Sequence, residues 1–331
     1  MIDRKKFIQL GAAGLGALLA TSSRAAVLAT SAPQTQQGTV RFAVISDLHF
    51  DLMHDAGVRA EQFIAQMNKE KPNFILQLGD FCMPKPENQK LLDIWKKFNG
   101  SSYHTLGNHD TDGGFTKAQT IDFWGMQAPY YSFDREGFHF VVLDGNEKSR
   151  STNIPGYPRT IEKEQLDWLR KDLETTKLPT VISCHQGLDN TEGGLSNGMQ
   201  VRFLFEQINK EAGFKKVILV LSGHHHLNYH NEINGIHYVQ INSSSYYWVD
   251  ESFRNDAFGE DFYKDHKWLR HTLIYEKPLW ATIAIDSKKR TIQIEGTETK
   301  LLGKDLKETG IDLHKDIYPI STAIDSRRLK Y

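Results

Sequence analysis

Five short apolar runs, each ending in polar residues of metal-binding type, constrain this chain more than any other feature of it. Residues 40–45 are followed by Asp47-Leu48-His49, 73–78 by Gly79-Asp80, 103–106 by Gly107-Asn108-His109-Asp110, the run ending at Cys184 by His185, and 217–221 by Gly223-His224-His225-His226. Runs of this length, bounded by turn residues, suit buried strands. Between the first and second, Ala60, Phe63, Ile64 and Met67 recur at i, i+3, i+4 and i+7, the spacing of one helix face. Leu91, Ile94, Trp95 and Phe98 repeat it before the third run, and Leu166, Leu169 and Leu173 mark another helix. The alternation predicts a β-α-β-α-β unit, hence a largely parallel sheet flanked by helices.

Residues 130–133 and 138–143 read as a hairpin turning at 134–137, and 279–285 and 291–294 as another turning at 286–290. With 236–241, the strands 279–285 and 291–294 suggest a second sheet packed on the first. No period of 20 to 50 residues recurs, which disfavours a solenoid. Residues 40–331 are expected to form one domain whose C-terminal part is rich in strands.

Forty Lys and Arg against 41 Asp and Glu, a net charge of −1, give no reason to expect a stable nucleic-acid or membrane partner. Two cysteines, Cys82 and Cys184, cannot make a disulfide framework, and neither stands in a C-x-x-C pair. A buried reduced thiol is the commoner state for each, although both sit beside candidate ligands. Arg4, Lys5 and Lys6 precede a weakly apolar run over 10–20, and Ser23-Arg24-Ala25 follows with small residues at a cleavage-site spacing. Residues 1–25 are therefore expected to be an export signal and 26–39 a linker, since the run is too short for the roughly 20 residues of a membrane helix. Arg4-Lys5-Lys6-Phe7-Ile8-Gln9 is similar to the twin-arginine export motif, with Lys5 at the second arginine. A periplasmic or secreted location is the expectation.

In open α/β sheets the carboxyl ends of strands line the ligand crevice, so the five polar ends are expected to converge. Asp, His and Asn donors without Cys suit Mn, Fe or Zn rather than Ca²⁺ or Cu⁺. Taken singly these are ordinary features, because an Asp after a strand caps a helix and a Gly-Asp pair makes a turn. Five in succession, each at a strand end, are not ordinary.

The ordered set D-x-H, G-D, G-N-H-D, H and G-H-x-H resembles the motif set of the calcineurin-like metallophosphoesterases, over residues 40 to 241. The resemblance implies an α/β fold, a two-sheet β-sandwich flanked by helices in four layers. It implies two metal ions, one held by Asp47, His49, Asp80 and His226, the other by Asp80, Asn108, His185 and His224, with Asp80 bridging them. It further implies hydrolysis of phosphate mono- or diesters by a hydroxide bridging the ions, with His109 assisting the leaving group and a small phosphoester, nucleotides included, as substrate. A pair of cations about 3.5–4 Å apart suits phosphoryl transfer because it clamps the phosphate oxygens and lowers the pKa of the attacking water. Met83 stands where the purple acid phosphatase branch has its tyrosine, so no tyrosinate chromophore is expected.

The rivals are a nucleotide pyrophosphatase and a non-catalytic metal-binding scaffold of the same fold. A metallo-β-lactamase-type site fails, because Asn228 and Tyr229 stand where its Asp and His would be. Asp110 either orients His109 or caps a turn, and His225, between two ligands, is expected outside the ligand set. The aromatic run Tyr246, Tyr247, Trp248, Phe253, Phe258 and Phe262 either stacks a substrate ring at the rim or fills the core.

Overall fold

The computed structural model describes residues 38–151, 153–314 and 318–331. The expected export signal and all but the end of the linker lie outside the described residues. β1 (Thr39–Ile45), α1 (Ala56–Glu70), β2 (Phe74–Gln77), α2 (Gln89–Trp95) and β3 (Ser101–His104) follow in the expected alternation. The three strands pair in parallel, Phe42 opposite Phe74 and Phe74 opposite Ser101. After α3 (Lys117–Trp124) come the antiparallel hairpin β4 (Tyr131–Arg135) and β5 (Phe138–Val142), then α4 (Lys163–Thr175), β6 (Thr180–Ser183), α5 (Gly198–Ala212), β7 (Val217–Ser222), β8 (Tyr229–Ile233) and β9 (Ile236–Gln240). β5, β6, β7 and β9 are parallel neighbours. β10 (Tyr246–Trp248) pairs with β11 (Thr272–Ile274), and α6 (Glu260–Asp265) lies between them in the chain. The chain ends with β12 (Ala281–Asp286), β13 (Thr291–Gly296) and β14 (Arg327–Lys330).

Two mixed sheets of six strands result, ordered β14-β13-β12-β1-β2-β3 and β4-β5-β6-β7-β9-β8. The C-terminal hairpin β12-β13 does not found the second sheet but joins the first, β12 running antiparallel to β1 with Val40 opposite Ile285 and Val44 opposite Ala281. The reason is the edge of β1: its backbone groups are buried on the side away from β2 and need a partner there. The second sheet is built instead from β4 to β9.

Strand periodicity then sets the layers. Val40, Phe42 and Val44 of β1 point between the sheets, against Phe74, Phe140, Leu219, Leu221, Ile283 and Ile285. Ala43 and Ile45, one residue out of phase, pack outward on Phe63, Ile64 and Met67 of α1 and Leu91, Leu92 and Trp95 of α2. On the far side Val141, Ile182 and Val220 cover Leu169 and Leu173 of α4 and Val201, Phe205 and Ile208 of α5. The order is helix, sheet, sheet, helix, the expected four layers. α5 was not among the expected helices, although Val201, Leu204, Phe205 and Ile208 repeat the face spacing of α1.

One charged contact ties the second sheet to α4. His139 of β5 is buried, with Nδ1 2.6 Å from Asp134 and Nε2 2.8 Å from Asp172. Burial opposes its charge, yet hydrogen bonds to Asp172 and Asp134 raise its pKa above the usual 6.5. A raised folded-state value means that the stability from protonated His139 is fully present below about pH 6.5 and is lost as the pH climbs through the folded value. His139→Gln should therefore lower the thermal midpoint by about 2–4 °C near pH 6 and by less at higher pH. Thermal melts across that range would show a deficit independent of pH if the contact were uncharged.

Candidate metal centre

β1, β2 and β3 of one sheet and β6 and β7 of the other deliver Asp47 and His49, Asp80, Asn108 and His109, His185, and His224 and His226 just beyond their carboxyl ends. The backbone there is unusual. Among the described residues, nine that are not glycine have positive φ, and five of these are Asp47 (52°), His49 (49°), Asp80 (51°), His224 (76°) and His226 (52°). Such conformations cost energy and persist where surrounding structure fixes them. Each breaks the strand direction and turns its side chain toward one shared space.

Two motif glycines let these loops approach. A Cβ on Gly107 would lie 2.2 Å from the Asp80 nitrogen, and one on Gly223 would lie 1.9 Å from Ser46 Oγ and 2.7 Å from Asp47 Oδ2. Asp110 then ties the loops together. Its Oδ2 accepts the amides of Asp80 (3.0 Å) and Gly107 (2.7 Å), and its Oδ1 accepts that of Phe81 (2.7 Å). Asp110 thus neither orients His109 nor merely caps a turn; it braces the loop that carries Asp80.

The side chains gather into two groups, Asp47 with His49 and His226, and Asp80 with His185 and His224. In the first, His226 Nε2 lies 3.2 Å from His49 Nε2 and 3.3 Å from Asp47 Oδ1. In the second, His185 Nε2 lies 3.2 Å from Asp80 Oδ2. The same Asp80 oxygen is 3.6 Å from His49 Nε2, so Asp80 stands between the groups. His185 Nδ1 donates to the Leu78 carbonyl at 2.7 Å and His226 Nδ1 to the Tyr246 carbonyl at 2.6 Å. A carbonyl only accepts, so both Nδ1 atoms carry protons and both Nε2 atoms are turned inward as donors to a cation.

The interior is rich in acceptors and short of partners. His185 Nε2, despite its closeness to Asp80, is buried without a hydrogen bond, and so is Asn108 Oδ1. Buried polar atoms are nearly always satisfied, and a cation would satisfy both of these. Burial pushes His49 and His224 down to about 3, which leaves them neutral and able to ligate. His185 is pushed up to about 9, because Asp80 and Asp47 outweigh its burial, so positive charge is favoured at that point. Burial works against ionisation of Asp47 and Asp80 as well, but the charges of His226 and His185 hold both carboxyls below their usual range. Nitrogen and oxygen donors without sulfur fit two borderline-to-hard cations. Cys82 and Cys184 are buried free thiols outside both groups, and burial pushes their pKa values up.

His109 lies outside both groups and is half-buried. Its amide donates to Asp80 Oδ1 at 2.9 Å, and its Nδ1 lies 2.7 Å from Asp112 Oδ2. The Tyr157 hydroxyl lies 3.2 Å from that Nδ1 and within 2.9 and 3.0 Å of the two Asp112 oxygens. The sequence gives no role beside His109 to Asp112 or Tyr157, and no motif spacing marks them. A cavity of about 480 Å³ opens beside His49, Asp80 and His109 and runs to the segment Lys264, His266 and Trp268. The aromatic run divides. Tyr246 is buried beside the His49 ring at 5.2 Å, Tyr247 belongs to the core between the sheets, and Phe258 stacks on Phe262 at 4.0 Å. His225 is half-buried against His224, outside both groups.

The sequence profile of the calcineurin-like phosphoesterases matches residues 40–228, more than half of the chain, and the chain belongs to that family. With its two candidate metal groups it is a metal-dependent phosphoric ester hydrolase. A 3',5'-cyclic-nucleotide phosphodiesterase of Nostoc sp. is 24% identical over 231 residues, 64% of this chain and 81% of that protein. A protein of Synechococcus sp. named "Probable cyclic nucleotide phosphodiesterase" is 28% identical over 204 residues, 57% of this chain and 74% of that one. A dimetal phosphatase from Danio rerio shares the fold with a TM-score of 0.56 at 12% identity, over 80% of this chain and 99% of its own.

Asp110→Ala would leave three buried amides without an acceptor. It should cost on the order of 3 kcal/mol of stability and reduce metal affinity, because Asp80 loses its brace. Denaturant unfolding and metal titration read the two effects, and a stable variant with unchanged metal affinity would contradict the bracing role.

Proposed function

We propose that this chain hydrolyses small phosphate esters, with nucleotide diesters the preferred class, using two metal ions and His109. The observation that carries the reading is the pair of buried acceptor groups meeting at Asp80, with His109 beside them at the wall of an open cavity. Asp47, His49 and His226 would hold one ion and Asn108, His185 and His224 the other, with Asp80 shared. When bound, such ions neutralise phosphate charge and lower the pKa of the attacking water.

The chain's own residues do the rest. Asp80 places the two sites side by side. Asn108 contributes a neutral oxygen, which leaves more positive charge for the substrate. His109, tied to Asp80 through its amide yet outside the ligand set, supplies a proton to the departing oxygen. The diester preference rests on the relatives named cyclic nucleotide phosphodiesterases, and the cavity beside the site has room for a nucleotide-sized group.

Hydrolysis of p-nitrophenyl phosphate and bis(p-nitrophenyl) phosphate with and without Mn²⁺ tests the activity, and a chain that cleaves neither contradicts it. His109→Asn should keep metal content near normal and lower kcat by about 10² to 10⁴, with a smaller penalty on p-nitrophenyl than on alkyl esters because p-nitrophenolate departs with little help. Loss of metal in that variant would move His109 into the ligand set.

A further inference from the structure

We propose that Asp112 and Tyr157 are positioning residues for His109. Asp112 accepts the Nδ1 proton of the imidazole, so that Nε2, carrying the second proton when the ring acts as the acid, is the nitrogen that donates to the leaving group, and Tyr157 fixes Asp112. The inference rests on the role of His109 given above and adds to it the parts that hold the ring in place.

The local backbone makes the first contact. The short helical segment His109–Gly114 breaks at Asp112 (φ −60°, ψ 164°) and Gly113 (φ 74°), and the break lets Asp112 fold back onto the residue three before it. Its Oδ2 meets His109 Nδ1 at 2.7 Å. An ionised carboxylate only accepts, so Nδ1 bears the proton. No nearer carboxylate is free to do this. Asp110 is committed to three backbone amides, and Asp80 Oδ1 accepts the His109 amide rather than the ring.

Tyr157 completes the arrangement from a distant part of the chain. A ring nitrogen that already donates cannot accept, so the 3.2 Å approach of the Tyr157 hydroxyl to Nδ1 is not its hydrogen bond. The hydroxyl instead donates to Asp112, at 2.9 Å to Oδ1 and 3.0 Å to Oδ2. Burial and then Asp112 raise the Tyr157 pKa, which keeps the hydroxyl protonated. The His109 ring is thereby boxed edge-on between the Tyr157 ring at 4.9 Å and the His49 ring at 5.3 Å. The segment bearing Tyr157 is anchored two residues later, where Arg159 donates to the Gly194 carbonyl at 2.9 Å and accepts the Ser196 amide at 2.7 Å. Tyr157 itself is 42% exposed, so core packing does not account for its place. Asp112, held by Tyr157 from a second chain segment, therefore fixes one nitrogen of one imidazole, as a carboxylate does on a histidine whose other nitrogen has work to do.

The test uses the full chain loaded with Zn²⁺ and compares a p-nitrophenyl with an alkyl phosphodiester. Asp112→Asn should lower kcat on the alkyl ester by about 10- to 100-fold, with KM and metal content little changed, and should cost much less on the p-nitrophenyl ester. Tyr157→Phe should cost less than Asp112→Asn. The double variant should be no worse than Asp112→Asn alone, because Tyr157 acts through Asp112. Nitrogen-15 labelling of histidine gives a readout independent of activity: the Nδ1–H signal of His109, identified by its absence in His109→Asn, should be lost or shifted in Asp112→Asn. If Asp112→Asn does not fold, Tyr157→Phe at its exposed position carries the same comparison. Equal losses on both esters, a change confined to KM or metal content, or a His109 Nδ1 that bears no proton would overturn the positioning role while leaving the phosphoesterase reading intact. A wild-type chain that cleaves neither ester would overturn that reading and this one with it.

Discussion

Charged and polar groups crowded into a buried space are what the rest of this structure answers to. Asp47, Asp80, Asn108, His185 and His226 are all buried, and their inward atoms are acceptors facing acceptors. Such an arrangement is expensive unless positive charge stands within it. A proton on His185 serves in part, as its raised pKa indicates. A pair of cations would serve fully, and their binding would release that proton. Metal bound to the folded chain alone would also stabilise it by mass action, so folding and loading are linked.

Supporting that cluster is the task of the four layers. Parallel strands place their carboxyl ends on one side, and two sheets face to face bring β1, β2 and β3 against β6 and β7. The core between them, with Phe42 stacked on Phe74 at 4.9 Å and set edge-on to Phe140 at 5.4 Å, holds the sheets in register. β12 closes the far edge of β1, so the strand that carries Asp47 and His49 is bonded on both sides. At the strand ends, left-handed backbone turns the candidate ligands inward, and Asp110 grips the Asp80 loop through three amides. The strain at those residues is local, and the packing that offsets it is not.

Much of this was legible because each signal was short-range. An apolar run followed by Asp or His within a few residues is a strand and its loop, and the spacing of Phe63, Ile64 and Met67 is one face of a helix. α5 was equally legible from the face spacing of Val201, Leu204, Phe205 and Ile208. β14 carries Arg327 and Arg328 on an exposed edge and has no apolar run to mark it. The partner of β1 could not be read, because both sheets offered an edge and only tertiary packing chose between them. The same holds within the site. Six of the seven expected ligands fall into the two groups, and the seventh, Asn108, follows the end of β3 with its Oδ1 buried and without a partner. Asp112 and Tyr157 meet only through a loop 45 residues away, and Asp110 took a bracing role that its place beside His109 does not reveal.

On the proposed function, five strand ends build two adjoining cation sites with Asp80 between them. Anomalous diffraction from crystals of the Mn²⁺-loaded chain tests it most directly. The account predicts two peaks about 3.5–4 Å apart, one among Asp47, His49 and His226 and the other among Asn108, His185 and His224, with Asp80 reaching both. A single peak, or metal bound away from these residues, would contradict it.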